Sequence, residues 1–137
     1  MNSILSDAEL KKLPRPFRKK PIITPKIMHF GPGAFFRAFV ASLIDDVNQK
    51  DIEKWGIIAV SLNSESTFDK LVGQDFVFNA LSMSSAEKSA EQIVSISDFI
   101  VAEKDGKSVL AALSDEQIEI VSLTITEKGY YYNSDKK

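Results

Sequence analysis

The apolar residues change their spacing at the segment Gly31-Pro32-Gly33. Before this segment, Lys26 to Phe30 form a short apolar run that predicts a β-strand. After it, from Ala34 to about Asn48, the apolar residues recur at helical spacing and predict an α-helix. The sequence therefore predicts a strand, a glycine turn and a helix in succession.

The predicted helix carries more apolar surface than one covering sheet can bury. Its apolar residues form two neighbouring rows, namely Phe35, Ala38, Phe39, Leu43 and Val47, and Phe36, Val40 and Ile44. We therefore expect a second surface to cover this helix. Asp45 and Asp46 are adjacent and project in different directions, so we interpret them as surface charges and not as a catalytic pair.

Further strands and helices follow along the chain. The segment Gly56 to Ser61 is short and β-branched, as expected for a parallel strand that is buried on both faces. The other predicted elements are a strand from Asp75 to Met83, a strand from Ile93 to Phe99 paired with it around the polar link Ser84–Gln92, a strand from Glu119 to Thr126, a short helix capped by Ser64 or Ser66 and running through Leu71, and a short helix from Ser108 to Leu113. These elements predict an α/β fold with a mainly parallel sheet.

The N-terminal residues predict a short helix followed by an extended arm. Ser6 and Glu9 have the spacing of a capping box, which starts a helix that we expect to reach about Leu13. The segment from Pro14 to Pro25 contains four prolines and the basic residues Arg15, Arg18, Lys19 and Lys20. We interpret it as a solvated arm, because nucleic-acid binding needs a wider basic surface than one short run.

Composition excludes several classes of protein. The chain has 137 residues, 44% of them hydrophobic, and a formal net charge of -2, which suits one small near-neutral domain without a nucleic-acid partner. The absence of cysteine excludes disulfides, cysteine nucleophiles and cysteine-ligated metals. No window approaches the roughly 20 apolar residues of a membrane-spanning helix. The N-terminus does not resemble a signal peptide, so we expect a cytoplasmic protein.

The glycine turn has the character of a phosphate-binding loop. Glycines let the backbone approach a pyrophosphate, and a helix N-terminus presents free N–H groups to it. Gly31 and Gly33 match the first two glycines of the G-x-G-x-x-G fingerprint, whereas Phe36 stands at the third. On this motif alone, dinucleotide binding and an ordinary tight turn both remain open. Arg37 either contacts a phosphate or pairs with a surface acid.

The end of the second strand bears on the choice of dinucleotide. An acid near this point commonly binds the adenosine ribose. Here Asn63 stands at the strand end and Glu65 follows two residues later, so the sequence leaves NAD and NADP open. We favour NAD, because no arginine or lysine stands at this strand end to neutralise an additional phosphate.

Candidates for catalysis or metal binding are few. His29 is the only histidine, and its place inside the first strand favours a structural role. A site with several histidines is therefore impossible, and no compact cluster of carboxylates suggests another metal site. We predict no metal site and no catalytic residue in this chain.

Four segments in order carry a resemblance to a known family. The first is the turn IMHFGPGAFFRAF at residues 27–39. The second is Trp55-Gly56-Ile57 with Val60-Ser61-Leu62, and the third is Gln74-Asp75 before a strand. The fourth and most specific is IVSLTITEKGY at residues 120–130. Together they resemble the long-chain mannitol dehydrogenase family, which includes mannitol dehydrogenase, fructuronate reductase and tagaturonate reductase, and the fourth is similar to the family's VSLTVTEKGY.

The resemblance implies an incomplete Rossmann-type domain that binds NAD, with NADP as the alternative cofactor. It assigns pyrophosphate contacts to the glycine turn, an adenosine ribose contact to the second strand end, and the nicotinamide end to the last strand. The residues implied are Gly31, Pro32, Gly33, Ala34, Phe35, Phe36 and Arg37, then Asn63, then Thr124, Thr126, Glu127 and Lys128. Thr124 and Thr126 have an equal alternative as ordinary β-formers.

The resemblance also implies where chemistry would occur. In the family, a following helical domain supplies the catalytic lysine and its asparagine and histidine partners. We therefore expect this chain to be the first part of such an enzyme and to be inactive alone, with a polyol or hexuronate as the substrate of the complete protein. The expected organisation is an N-terminal helix and basic arm at 1–25, the dinucleotide-binding domain at 26–132 and a polar end at 133–137.

The chain departs from the family's usual turn, GxGAFHRAH, at two positions. Phe36 and Phe39 replace its two histidines, although tagaturonate reductases also have RAF at the second. The subfamily therefore stays open, and contacts near the nicotinamide end are expected to differ. The alternative hypothesis is a non-catalytic remnant that self-associates through an exposed surface of Phe36, Val40, Ile44 and Tyr130–Tyr132.

Overall fold

A parallel sheet of four strands forms the centre of the protein. The computed structural model describes residues 6–16, 18–19, 21–50, 52–84 and 87–125. The strands are β1 (Pro25–Phe30), β2 (Gly56–Ser61), β3 (Phe78–Met83), β4 (Lys88–Ile93), β5 (Ile96–Val101) and β6 (Ile120–Leu123). The parallel sheet has the order β5-β2-β1-β6, and β3 pairs with β4 in a separate antiparallel hairpin. The predicted α/β class and the predicted parallel strand at Gly56–Ser61 are confirmed.

The helices connect these strands. They are α1 (Asp7–Leu10), a π-helical segment (Phe36–Val40) that continues directly into α2 (Ala41–Lys50), α3 (Ser66–Val72) and α4 (Gly106–Leu113). The capping box of α1 is present as predicted, but the helix ends at Leu10 and not at Leu13. Neither predicted serine caps α3. Its N-cap is Glu65, which makes no side-chain capping bond.

Apolar side chains cover both faces of the sheet. On one face, Ile27, Ile57 and Ile96 pack with Phe36 and Ala41 of the helical segment that follows β1. On the other face, Met28, Ile58, Val60 and Ile100 pack against residues of α4 and of the segment before β6. All six residues of β2 are buried, which explains its uninterrupted apolar sequence.

The strand order creates a switch point beside β1. Successive parallel strands run outward from β1 through β2 to β5, and the chain then returns to place β6 on the other side of β1. In open α/β sheets, ligands bind beyond the carboxyl ends of the strands at such a reversal. The residues that follow β1 and β6 therefore lie at the position where this architecture holds its ligands.

The predicted strand from Ile93 to Phe99 is wrong, because the run contains the junction of two strands. β4 ends at Ile93 and β5 begins at Ile96, and most of the supposed link Ser84–Gln92 is β4 itself. Side-chain bonds hold the junction. Val94 N–H donates to Asp45 Oδ1 at 3.0 Å, and Ser95 Oγ donates to the carbonyl oxygen of Ala41 at 2.9 Å. Apolar and polar residues continue to alternate from Ile93 to Asp98, so the sequence pattern does not show that one strand ends and another begins within this run.

Two other predicted strands are shorter than expected. β3 begins at Phe78 and not at Asp75, because Asp75 and Phe76 have φ angles of 52° and 60° that belong to a turn. β6 covers Ile120–Leu123 within the predicted run Glu119–Thr126. Thr126 lies outside the described residues.

The N-terminal arm is not simply solvated. The guanidinium group of Arg18 donates hydrogen bonds to the carbonyl oxygens of Val94 and Ile96, at 3.0 and 2.6 Å, and to that of Asp75 at 3.0 Å. Arg15 donates to Gln74 Oε1 at 3.1 Å. The arm is thus bound across the junction of β4 and β5, and Arg18 is a structural residue.

Two predictions about the helix after β1 are also corrected. Asp45 is 3% exposed and accepts the hydrogen bond from Val94, so it is not a surface charge. Phe36 is 1% exposed and Val40 and Ile44 pack against the core, so these residues do not form an exposed surface. The uncovered row is the other one, Phe35, Phe39, Leu43 and Val47. Tyr130–Tyr132 lie outside the described residues.

Candidate functional site

Gly31 begins the turn at the carboxyl end of β1. Its φ angle is +88°, in the region that favours glycine. A Cβ atom at this position would lie 3.2 Å from the carbonyl oxygen of Thr124, the residue that follows β6. Its N–H donates to the carbonyl oxygen of Val60 at 2.9 Å. The turn is therefore clamped between the two strands that flank β1, and glycine at this position is required by the fold.

Gly33 is glycine for a different reason. Its φ is not positive, and a Cβ atom there would meet only the carbonyl oxygen of Gly31, at 4.0 Å. Nothing in the described part of the chain therefore requires glycine at this exposed position. Glycine at such a position would let a ligand approach the backbone closely. This observation fits a dinucleotide pyrophosphate.

The first helical residues after the turn present free donors. Arg37 N–H donates to the carbonyl oxygen of Gly33 at 3.1 Å, which starts the helix. Among the described residues, the backbone provides no acceptor for the N–H groups of Ala34, Phe35 and Phe36. Three donors at the positive end of a helix form an electrostatic environment that suits an anion.

Arg37 adds a cation to this end of the helix. Its Nη1 donates to the carbonyl oxygen of Pro32 at 2.6 Å and makes a longer contact of 3.4 Å with Thr67 Oγ1. Burial lowers the pKa of this guanidinium, and none of the ion pairs of the described residues includes it. The surface-acid interpretation of Arg37 therefore loses support. A half-buried arginine without a carboxylate beside a glycine turn is suited to a phosphate.

His29 supports the turn from inside the sheet. Its side chain is buried, and its Nδ1 lies 2.8 Å from Ser122 Oγ. Its Nε2 lies 3.1 Å from Thr124 Oγ1 and 3.3 Å from the carbonyl oxygen of Gly31. One neutral tautomer fits these contacts, with an N–H on Nε2 that donates to the carbonyl oxygen of Gly31 and an Nδ1 that accepts from the Ser122 hydroxyl. Burial lowers the pKa of His29, which favours a neutral imidazole.

Thr124 connects β6 to the glycine turn. Its N–H donates to the carbonyl oxygen of Phe30 at 3.0 Å, and its hydroxyl contacts His29. These contacts place Thr124 against one side of the glycine turn, and its role at the nicotinamide end stays a prediction. Thr126, Glu127 and Lys128 lie outside the described residues.

The loop after β2 is bound to the loop after β5. Asn63 is exposed two residues after the end of β2, and its contact with a ribose stays a prediction. The N–H groups of Ala102 and Glu103 donate to the carbonyl oxygens of Ser61 and Leu62, at 2.8 and 2.9 Å. This pairing brings together Glu65 and Lys104, whose Oε2 and Nζ atoms are 2.5 Å apart.

The sequence did not predict Lys104 at this site. The expectation that no lysine stands near the end of β2 holds for the strand itself, but Lys104 reaches it from the neighbouring strand. Only the order β5-β2 in the sheet places the two loops side by side. Lys104 could have been predicted at this site only if the position of β5 beside β2 had been known.

The described ranges contain no candidate metal site and no candidate membrane-spanning helix. Within them, no group of three or more histidine, aspartate and glutamate side chains is placed to hold a metal ion. The helices of these ranges are also too short or too polar to span a bilayer.

Comparison with known proteins identifies relatives across most of the chain. The family model of the mannitol dehydrogenase Rossmann domain matches residues 25–136. A mannitol 2-dehydrogenase of Pyricularia oryzae is 37% identical over 112 residues, which cover 80% of this chain and 22% of that protein. A mannitol 2-dehydrogenase of Cereibacter sphaeroides is 31% identical over 127 residues, which cover 90% of this chain and 27% of that protein.

Solved structures show the same architecture. A substrate-free D-sorbitol dehydrogenase superimposes with a TM-score of 0.74 at 31% identity, over 96% of this chain and 29% of that chain. The mannitol 2-dehydrogenase of Pseudomonas fluorescens, in a ternary complex with NAD and D-mannitol, superimposes with a TM-score of 0.72 at 31% identity, over 91% of this chain and 27% of that chain. The chain thus spans about a quarter of the length of these relatives, and its fold is of the Rossmann type.

Proposed function

Because the chain belongs to the mannitol dehydrogenase family, through that family's Rossmann domain, we propose that it binds NAD at the carboxyl ends of β1, β2 and β6. The observation that carries this proposal is the open backbone at Gly33, beside three free N–H groups and the unpaired cation of Arg37. The Pseudomonas fluorescens relative with the same fold was solved with NAD. Both the local chemistry and the family therefore favour the same ligand.

Each residue of the glycine turn has a separate role in the proposed binding of the pyrophosphate. Gly31 sets the direction of the turn, Gly33 permits close approach, and the first helical N–H groups donate to the pyrophosphate. Arg37 supplies a charge-assisted hydrogen bond to a phosphate oxygen. Asn63 binds a hydroxyl of the adenosine ribose. The bound cofactor would supply a nicotinamide ring that accepts or donates a hydride.

For the whole protein we propose hydride transfer between a secondary alcohol of a polyol or hexuronate and nicotinamide. Since the chain spans about a quarter of its relatives, we expect the 137 residues alone to bind cofactor without turnover. In these residues the role of the protein is to position the dinucleotide. Thr124, at the predicted nicotinamide side, would contribute to that positioning.

Titration of the purified chain with NADH, followed by nicotinamide fluorescence, tests the proposal. We expect saturable binding, and circular dichroism on the same sample verifies folding. Gly33→Asp places a side chain and a negative charge against the pyrophosphate and should abolish binding without unfolding, because the site is open. Ser82→Asp is the matched control, since it adds the same carboxylate at an exposed position of β3, in the antiparallel hairpin that is separate from the parallel sheet. A folded wild-type chain that does not bind NADH would contradict the proposal.

Self-association stays a prediction, but the exposed residues that would form the contact differ from those predicted from the sequence. The uncovered row on the helix after β1 consists of Phe35, Phe39, Leu43 and Val47, which are between 38% and 65% exposed. Sedimentation velocity over a range of concentrations would detect association. Leu43→Lys should then abolish it if this row forms the contact.

A further inference from the structure

β6 forms an open edge of the parallel sheet. Among the strands of the described residues it pairs with β1 alone, so the backbone groups on its outer side have no strand beside them. Ile120 pairs with Ile27 of β1 on one face of the sheet, and Val121 and Leu123 lie on the other face. These three side chains of β6 are between 45% and 61% exposed. A strand with apolar side chains on both faces is typical of the interior of a parallel sheet and not of its edge.

The other edge of the same sheet is protected by a charge. β5 forms that edge and carries the exposed Asp98, whose carboxylate accepts a hydrogen bond from the backbone N–H of Phe99 at 2.7 Å. Proteins commonly place charged side chains on edge strands, because such charges prevent another strand from pairing there. Residues 120–126 contain no charged side chain. Of the two edges of this sheet, the β6 edge is therefore the one suited to accept a further strand.

A second copy of β6 matches this edge. A two-fold axis perpendicular to the sheet would bring the two strands together in antiparallel orientation. With the axis at Ser122, Val121 lies opposite the partner's Leu123, and the symmetry repeats this contact on the other side of the axis. Two apolar pairs thus meet on one face without any like charges. Glu119, the charged residue directly before β6, is bound to Lys26 of β1 at 2.9 Å.

From this edge we propose that the chain forms a two-fold dimer, in which the β6 strands of two copies pair and join two four-stranded sheets into one. Backbone hydrogen bonds between the strands supply the affinity, and the apolar pairs specify the register. This contact is separate from the exposed row on the helix after β1, and it does not depend on dinucleotide binding.

Sedimentation velocity of the wild-type chain between about 1 and 200 μM measures the association, and we expect a reversible equilibrium of monomer and dimer. Leu123→Lys should raise the dissociation constant of the dimer by about tenfold, because a lysine then replaces the apolar partner of Val121 in both pairs. The addition of Val121→Glu to this variant should recover about threefold, since the register places opposite charges across the axis. Leu43→Lys is the matched control, as it adds the same charge to an exposed leucine of α2, and it should change the constant by less than about twofold.

Disulfide cross-linking tests the register without an added charge. The chain has no cysteine, so Val121→Cys and Leu123→Cys each introduce a single thiol. Opposed positions of an antiparallel pair lie close enough for a disulfide. On oxidation, a mixture of the two variants should therefore form linked dimers at least about threefold faster than either variant alone.

Each outcome supports or overturns the dimer. A folded wild-type chain that stays monomeric over this range overturns the proposal. Loss of association in Leu43→Lys but not in Leu123→Lys also overturns it, and assigns the contact to the exposed row on the helix after β1. Equal rates of cross-linking in the mixture and in the single variants overturn the register on which the proposal rests. Circular dichroism verifies that each variant is folded, as expected for substitutions of exposed side chains.

Discussion

The ring of Phe36 stacks on the imidazole of His29, with centroids 3.5 Å apart and planes within 5° of parallel. The contact joins the first residue of the π-helical segment to the strand before the glycine turn. Phe36 occupies the position of the third glycine in the dinucleotide fingerprint, where close packing of helix on strand is the usual purpose. In this protein a buried aromatic ring makes that contact.

We expect Phe36→Ala to destabilise the protein by about 3 to 5 kcal/mol, because it empties a fully buried site. The neighbouring Phe35→Ala is the matched control, since Phe35 is 65% exposed and its loss should cost less than about 1 kcal/mol. Urea unfolding followed by the fluorescence of Trp55 measures both. Should Phe36→Ala fail to fold, Phe36→Leu still tests the site, and equal effects at the two positions would contradict the structure.

Acidification should lower the free energy of unfolding through protonation of His29. Burial lowers the pKa of the folded imidazole below its unfolded value near 6.5, so the unfolded chain binds a proton more readily. This contribution to stability is complete above about pH 6.5 and is lost as the pH falls through the folded pKa. Unfolding free energies at several pH values between about 5 and 8 should fall more steeply on acidification in the wild type than in His29→Gln. Parallel curves would disprove the role of this histidine.

The arm should contribute to stability through one side chain. Arg18→Met leaves three carbonyl oxygens without their donor and should cost about 2 to 4 kcal/mol. Arg15→Met removes a hydrogen bond to a glutamine on the surface and should cost less than about 0.5 kcal/mol. Thermal unfolding of the two variants measures the difference. A solvated arm, by contrast, would make both substitutions neutral.

Gly31→Ala should weaken the fold, in contrast to substitution at Gly33. A side chain at a positive φ costs about 1 to 2 kcal/mol, and its Cβ would also press on the carbonyl oxygen of Thr124. Gly33→Ala introduces neither problem and should leave unfolding unchanged while weakening NADH binding. Denaturant unfolding and NADH titration of both variants separate the two effects.

Local patterns predicted the first half of the fold well. The apolar run before Gly31 and the β-branched run at Gly56–Ser61 are both strands of the parallel sheet. A strand that is buried on both faces has a continuous apolar sequence, so this kind of strand can be predicted from local sequence alone. The helix after the turn was also predicted, but its π-helical segment was not. The extra residue in that turn lets Ala41 N–H donate to the carbonyl oxygen of Phe36, and no residue type in FRAFV signals it.

Long-range contacts account for what the sequence did not predict. Asp45 is polar and resembles a surface residue, yet it is buried because Val94, in a distant loop, needs an acceptor. In the sequence, Arg18 belongs to a basic run that resembles a solvated segment. In the structure, its guanidinium group donates to three carbonyl oxygens of distant residues. The site shows the same division, since Gly31, Gly33 and Arg37 follow from local spacing, whereas Lys104 depends on strand order.

The contact between His29 and Thr124 joins residues that are 95 positions apart. A chain that is being synthesised from its N-terminus therefore exposes the glycine turn long before the strand that walls it has been made. β1 and β2 can pair early, but β1 keeps one open edge until β6 arrives. The wall beside the glycine turn thus forms only after Thr124 has been synthesised, and nascent chains that end before this residue lack it.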